Sequence, residues 1–294
     1  NIPRYGDFAH PIPTDPNDPQ YAIYVANKDY PIGFGKNNQA VLIPAFMAAY
    51  TGTSSSGVAL NVFRDFPIPN WNIKYTGLMR YKFFKDNFKR MSIQHGYKAT
   101  YTVNSFRSNF EYDKNPTGTD AGGNFYNKLL ISNVNLVEQF NPLVRFDMEM
   151  KNSVKVLAEV KKDRSMSLSF DNNLLTEVRG MDYTLGLGYR IKDVTISSKM
   201  ADNPTGIIKS DINIKIDGTY RNSKTIVRYL DYDNNRLSGG QNIWSVKVSA
   251  DYSFSKNLTL LFYYDHQFSK AVISTSYPIT NIRAGFTMRY NFGN

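Results

Sequence analysis

Between Trp244 and Tyr264 the sequence WSVKVSADYSFSKNLTLLFYY repeats with a period of two. Even positions carry Trp, Val, Ala, Tyr, Phe and Leu, whereas odd positions are mostly Ser, Lys, Asp and Thr. Successive side chains of a β-strand point to opposite sides, so the pattern predicts two strands that each have one apolar side. The short polar junction at 255–257 keeps even positions on the same side of both strands. The stretch therefore predicts a β-hairpin with one continuous apolar face.

Similar alternation recurs from about residue 71 to the end, in runs longer than the usual strand of about 5–6 residues. We predict about ten strands, at 71–80, 89–103, 129–150 with a kink at Pro142, 153–171, 176–191, 209–221, 224–231, 242–254, 258–269 and 281–292. Short turns are predicted at 151–153, 171–173, 221–223 and 255–257, and longer loops at 104–128, 192–208, 232–241 and 270–280. Tight turns between long alternating runs indicate an all-β, antiparallel fold.

The first 57 residues differ from the rest because alternation is absent and prolines are frequent. Each proline removes a backbone donor that a sheet would need. We therefore predict an irregular, proline-rich arm or loop over 1–57 and the strand region over 58–294. The start of the chain lacks the pattern of a secretory leader, so we expect a leader to have been removed or the chain to begin inside a longer precursor.

Strands this long need a cover for their apolar side, and the choice lies between lipid and a second sheet. Ten steps from Trp244 to Phe254 extend about 33 Å, which a tilt of about 40° projects onto roughly 25 Å, the height of the apolar band of a transmembrane β-barrel. Bulky aromatic residues also lie near strand ends, as they do at membrane interfaces. The pattern favours an antiparallel transmembrane β-barrel wall.

Two sets of residues follow from this interpretation. The predicted membrane-interface aromatics are Trp244, Tyr252, Phe254, Tyr264, Tyr290 and Phe292. The predicted lumen-facing polar residues are Lys247, Ser249, Asp251, Arg283 and Arg289. Leu261 and Tyr263 are apolar positions on the predicted lumen side and count against the assignment.

Composition and charge add little chemistry. The chain has no cysteine and only three histidines, which are widely separated, so no catalytic, metal-binding or cofactor-binding set is predicted and we do not expect an enzyme. The net charge of +10 is not gathered in one stretch, so no nucleic-acid partner is predicted. No apolar run reaches the roughly 18 residues of a spanning helix.

Five phrases carry a resemblance to a known family. They are LIPAFMAAYTG at 42–52, PIPNWNIKYTGL at 67–78, HGYKATY at 95–101, GLGYRIKDV at 186–194 and STSYPITN at 274–281. In this order they resemble the C-terminal part of the SprA/Sov family, the outer-membrane translocon of the type 9 secretion system of Bacteroidota. The resemblance covers most of residues 40–294. Here Gly293 and Asn294 trail beyond the terminal aromatic residue, Phe292.

The resemblance implies a protein-conducting barrel of exceptional width in the outer membrane, with no cofactor. Its partners would be the remaining N-terminal part of the translocon, a PorV-type shuttle barrel, a periplasmic plug protein, secreted cargo proteins and outer-membrane lipid or lipopolysaccharide. The family would have the size of the largest known barrels, about 36 strands. About ten strands would be only part of such a wall, so we expect both outer strands of this chain to pair with strands from elsewhere. The arm over 1–57 would continue from the upstream part as a loop or line the lumen.

Two other interpretations remain open. The chain could form an independent small outer-membrane barrel, similar to a porin or an adhesin. It could also be a soluble β-sandwich that acts as a binding module. A requirement for detergent would separate the sandwich from both barrels, and the number of strands would separate the barrels from each other.

Overall fold

The computed structural model describes residues 4, 6–52, 54, 68–197, 206–232, 234–254, 257–273 and 276–292. These residues form one antiparallel sheet of nine strands in the order of the sequence, β1-β2-β3-β4-β5-β6-β7-β8-β9. Every strand pairs with its neighbours in the sequence, so each connection is a hairpin link. β1 and β9 form the two edges of an open sheet. The predicted all-β, antiparallel class is confirmed.

The strands are β1 Trp71–Tyr75, β2 Phe88–Ser108, β3 Leu129–Met150, β4 Val154–Ser169, β5 Leu174–Ser197, β6 Ile207–Tyr229, β7 Asn234–Ser253, β8 Leu258–Ala271 and β9 Ile279–Tyr290. The helices are α1 Pro19–Asn27, α2 Gln39–Thr51, α3 Lys82–Asn87 and α4 Phe110–Lys114, with a 3₁₀ turn at Gly77–Arg80.

The prediction that a turn at 221–223 separates two strands is wrong. Residues 207–229 form the single strand β6, and Asn222 and Ser223 pair with Asn242 and Gln241 of β7. The amide of Asn222 donates to the Asn242 side chain, and the Ser223 hydroxyl donates to the Gln241 carbonyl. Polar residues that are typical of turns therefore continue the strand by bonding across it.

The predicted loop at 232–241 is also wrong over most of its length, because β7 begins at Asn234. A register shift lies opposite Thr225 and Ile226, where Ser238 is the extra residue before Gly239 and Gly240. Gly240 has a φ of 138°, and a Cβ there would lie 2.3 Å from the Ser223 carbonyl oxygen. The glycines therefore mark a bulge within β7. The predicted first strand, 71–80, is shorter than expected, since the chain turns into helix after Tyr75.

The predicted kink at Pro142 corresponds to a register shift in β3 between Phe140 and Val144. A matching shift lies in β2 between Gln94 and Tyr97. A Cβ on Gly96 would lie 2.8 Å from the carbonyl oxygen of Asn141, so the two backbones approach closely there. β3 passes through the bulge as one strand because both neighbours accommodate it.

The arm over 1–57 was expected to be irregular, yet it contains α1 and α2. Asn38 caps α2 by accepting a hydrogen bond from the Ala40 amide at 2.9 Å, and Gly52 ends it in the left-handed conformation with φ 68°. Pro44 lies inside α2 and is buried. The prolines misled the prediction because one missing donor is tolerated where a helix buries much apolar surface.

The core lies where α2 packs across the sheet. Ile43, Phe46 and Met47 of α2 contact a cluster of buried side chains on β3 and β4, namely Val134, Leu136, Met166 and Leu168. The register places those four residues on the same face of the sheet as the apolar alternation. α2 therefore packs on the apolar side of the sheet and not on the side that was predicted to face a lumen. The boundary predicted at 57 and 58 lies outside the described residues.

Candidate functional site: the two faces of the sheet

The strand register collects the apolar alternation on one face, which we call the apolar face. Val248 of β7 pairs with Ile216 of β6 and Tyr264 of β8, and Ile216 pairs in turn with Leu187 of β5. Many of these side chains are exposed, for example Leu185 by 53%, Ile282 by 59% and Phe286 by 66%. Apolar patches beyond a few hundred Å² are rare on soluble monomers and mark interaction surfaces. The apolar face is therefore an interaction surface for a lipid or for another apolar protein surface.

An aromatic row crosses the apolar face and ends the exposed apolar stretch of strands β5 to β8. We define it as Trp71, Tyr97, Phe140, Tyr183, Tyr220, Trp244 and Phe268, which come from seven different strands. Neighbouring ring centroids lie 4.5 Å apart for Trp71 and Tyr97, 4.9 Å for Tyr97 and Phe140, 6.1 Å for Tyr183 and Tyr220, 5.2 Å for Tyr220 and Trp244, and 5.5 Å for Trp244 and Phe268. In the gap at β4, the ammonium of Lys162 lies 5.9 Å from the Phe140 centroid. The row is a nearly continuous ring contact across the sheet.

Five of the six predicted interface aromatics lie at the limits of the apolar stretch of their strands. Trp244 belongs to the aromatic row, and Tyr252 and Phe254 close the far end of β7 with ring centroids 5.0 Å apart. Tyr290 and Phe292 close β9 with centroids 4.8 Å apart. Tyr264 lies elsewhere: it pairs with Val248 in the middle of the apolar stretch of β7.

The opposite side, which we call the polar face, carries all five predicted lumen residues. Lys247 pairs with Asp265, and the guanidinium of Arg283 lies 2.6 Å from an Asp265 oxygen. The Asn213 amide donates to Asp251 at 2.8 Å. Further ion pairs of the same face join Arg145 to Glu159, Lys161 to Glu159, Lys215 to Asp217 and Arg221 to Asp182, at 2.9–3.1 Å. Charges of both signs alternate across this face, as expected of a surface that meets water.

Leu261 and Tyr263 do lie on the polar face, as the sequence indicated. Tyr263 is 42% exposed and pairs with Gly285 of β9. A Cβ on Gly285 would lie 2.8 Å from the Tyr263 hydroxyl oxygen, so the ring lies across the bare glycine backbone. The ring fits on the polar face because Gly285 has no side chain, and not because its surroundings are apolar.

A charged cluster on the apolar face escaped the sequence prediction. The carboxylate of Glu177 is 0% exposed and contacts three guanidiniums: Arg164 at 2.6 Å, Arg179 at 2.6 Å and Arg228 at 2.7 Å. The four residues come from β4, β5 and β6, and only the strand register brings them together. A signal was present, since these charges occupy the alternate positions that carry apolar residues elsewhere in the same strands.

Glu177 lies six residues beyond Tyr183 along β5, outside the apolar stretch that ends at the aromatic row. Burial opposes ionisation of the carboxyl group, but the hydrogen bonds from Arg179, Arg228 and Arg164 outweigh it and lower the pKa of Glu177 to about 2. The carboxylate is thus charged at any physiological pH, and it holds the three guanidiniums in fixed positions.

None of the described helices is long and apolar enough to cross a membrane. Within the described ranges, no three His, Cys, Asp or Glu side chains are grouped as metal ligands would be. The sequence matches no model of a known protein family, and no relative is found among curated proteins.

Proposed function

We propose that this chain forms an arc of the wall of a transmembrane β-barrel that conducts folded proteins across the outer membrane. The observation that carries the proposal is the sidedness of the sheet. One face exposes apolar side chains bounded by aromatic rings, and the other carries ion pairs. Lipid on one side and water on the other is the environment that favours this distribution.

The open edges support a wall that continues beyond these strands. In hydrocarbon an unpaired backbone N–H or C=O group costs several kcal/mol, so spanning sheets close on themselves. Nine strands spaced by about 4.8 Å cover about 43 Å of circumference. In this proposal β1 and β9 pair with strands from elsewhere in the translocon. The same feature distinguishes the proposal from a small independent barrel, in which β1 and β9 would pair with each other.

The type of barrel follows from the resemblance to the SprA/Sov family. The chain would contribute a C-terminal part of the type 9 translocon, with the polar face lining the path of secreted cargo proteins. The PorV-type shuttle barrel and the periplasmic plug protein would be its partners. Its role is to provide a smooth, charged surface along which a folded protein slides, with no chemical step of its own.

Site-specific crosslinking to a stalled cargo protein tests the proposal. Ser249→Cys places a thiol on the polar face, and the adjacent Val248→Cys places one on the apolar face as a matched control. In the whole translocon, a cargo protein blocked in transit should crosslink to the cysteine at 249 and not to the one at 248. Crosslinking of neither, or of both equally, contradicts a cargo path along the polar face.

A further inference from the structure

A cluster of cations lies on the apolar face directly beyond the aromatic row. We call it the basic patch and define it as Lys162 and Arg164 of β4, Arg179 of β5, and Lys224 and Arg228 of β6. The register sets Arg164 opposite Arg179, and Arg179 opposite Lys224, so three cations form one line across three strands. Strand spacing of about 4.8 Å makes this line about 10 Å long.

The basic patch retains an excess of positive charge. Five cations face the carboxylates of Glu177 and Glu138, which leaves a net charge of +3. Glu177 binds its three arginines from the buried side, and the Arg179 side chain remains 54% exposed. Lys162 and Lys224 are exposed, and among the described residues neither has a carboxylate within 4.0 Å. The patch therefore presents fixed and free donors to an anion.

An apolar groove continues from the patch on the other side of the aromatic row. Its lining includes Ala158 of β4 and Gly218 of β6, where small residues leave a depression. Tyr183, Tyr220 and Trp244 stand around it and separate it from the cations. The groove and the basic patch thus share β4, β5 and β6.

We propose that the patch and the groove together bind one phosphate-bearing lipid, with its phosphate on the cations and an acyl chain along the groove. This inference rests on the proposed function. Arg179 lies four residues beyond Tyr183, about 13 Å along the strand and roughly 10 Å along the membrane normal at a tilt of about 40°. Head-group layers extend about 5–8 Å beyond the hydrocarbon, and flexible side chains cover the rest. A free phosphate ion would use the cations but leave the groove without a role.

The test measures lipid binding to the whole translocon in mild detergent by native mass spectrometry. The probes are lipid A with two phosphates, dephosphorylated lipid A and inorganic phosphate. Lys162→Gln with Lys224→Gln leaves the Glu177 contacts intact and removes two charges. Each lysine near an anionic surface contributes about one kcal/mol, so affinity for phosphorylated lipid A should fall roughly 30-fold.

The matched control is Lys155→Gln with Lys247→Gln, which removes two exposed lysines from the polar face and should leave lipid affinity unchanged. Gly218→Leu extends a side chain into the groove and should weaken lipid binding at unchanged charge. The nearest atom to a Cβ there is 3.9 Å away, so the Cβ meets no clash with the backbone. Dephosphorylated lipid A should bind the unaltered protein at least as weakly as the lysine variant binds lipid A.

Three results would overturn the inference. The two double lysine variants could lose the same affinity for phosphorylated lipid A, or the unaltered protein could bind the two forms of lipid A equally well. The third is displacement of lipid A by inorganic phosphate at comparable concentration. Failure of the proposed function is seen separately, as absent crosslinking of cargo to Ser249→Cys. The lipid measurement can still be interpreted in that case, because lipid binding to the apolar face does not depend on what passes along the polar face.

Discussion

At the scale of single residues, Glu177 is the most constrained side chain of the sheet. It is fully buried, and each of its two oxygens lies within 3.0 Å of an arginine nitrogen. A single carboxylate therefore keeps three cations together that would otherwise repel one another. Loss of the Glu177 charge should therefore weaken the side-chain contacts that join β4, β5 and β6 at this cluster.

We expect Glu177→Gln to lower the free energy of unfolding by an amount near the lower end of about 3–5 kcal/mol, because the freed arginines reach water and are partly screened. The folded pKa of Glu177, about 2, lies below its ordinary value of 4.5, so its stabilising effect is complete above pH 4.5 and is lost as the pH falls through about 2. Thermal unfolding of both proteins in detergent across this pH range measures the difference.

Glu111→Gln provides a matched control, since Glu111 makes an exposed pair with Lys114 at 3.0 Å. Exposed pairs contribute about 0–1 kcal/mol, so this control should unfold nearly as the unaltered protein does. A Glu177→Gln protein that matches the control, or a difference that persists unchanged down to pH 2, would contradict the assigned role.

The Glu177 cluster also shows what single-residue patterns leave out. Arg164, Glu177 and Arg228 lie far apart in the sequence and meet because β4, β5 and β6 pair in one particular register. Alternation predicts which side a residue occupies, but not which residue lies beside it. Trp244 and Tyr252 were placed on the apolar face correctly because that assignment depends on alternation alone.

At the scale of elements, β7 separates the two faces most clearly. Val248 lies between Ile216 and Tyr264, whereas Ser249 pairs with Lys215 and Tyr263 on the polar face. Val248→Arg should cost roughly 2–4 kcal/mol, the cost of a cation at the middle of a lipid-facing band, while Ser249→Arg should cost little. Folding yield, read from the heat-dependent mobility shift of the whole barrel in gels, compares the two variants directly.

Val248→Arg and Ser249→Arg serve as controls for each other, because both introduce the same side chain at adjacent positions of one strand. Equal loss of folded barrel in the two variants would contradict the assignment of the apolar face to lipid. A greater loss from Ser249→Arg would invert the assignment.

Strands were predicted well where the alternation of apolar and polar residues was regular. They were predicted poorly where polar residues typical of turns lie within a strand. β3, β4, β8 and β9 lie within two residues of their predicted bounds. β6 was divided in error because Arg221, Asn222 and Ser223 have turn chemistry, although in the sheet they bond to Asp182, Asn242 and Gln241. α2 was missed because its stability comes from packing on β3 and β4, which a proline count does not reveal.

At the scale of the whole molecule, the two ends of the sheet differ. Beyond the aromatic row β3 continues from Phe140 back to Leu129, about 36 Å of strand, and α1 and α2 lie near that end. At the other end β7 stops one residue after Tyr252, next to the start of β8. Outer-membrane barrels have short periplasmic turns and larger extracellular parts, so in the proposed barrel the extended end should face outward.

Cysteine labelling of whole cells checks this orientation. The chain has no cysteine of its own, so an impermeant maleimide reports only the introduced residue in it. Tyr232→Cys and Tyr277→Cys, at sites that are 79% and 92% exposed in the connections after β6 and β8, should be labelled. Asn152→Cys, in the turn between β3 and β4, should react only after the membrane is broken.

Labelling of Asn152→Cys alone on intact cells would reverse the orientation. Labelling of all three positions would mean that both ends of the sheet are outside, which a spanning wall does not allow.

If the sheet spans a membrane as proposed, the contact between α2 and the aromatic row limits how deeply this part of the sheet can lie in it. The Tyr50 hydroxyl, at the end of α2, lies 2.8 Å from the Tyr97 hydroxyl, which in turn donates to Glu138 at 3.0 Å. Acyl chains that rose above this point would meet a carboxylate and the end of a helix. In the proposed barrel, the end of α2 would thus set the upper limit of the hydrocarbon layer on β2 and β3. A thicker bilayer would then have to thin locally around this part of the sheet rather than draw it further in.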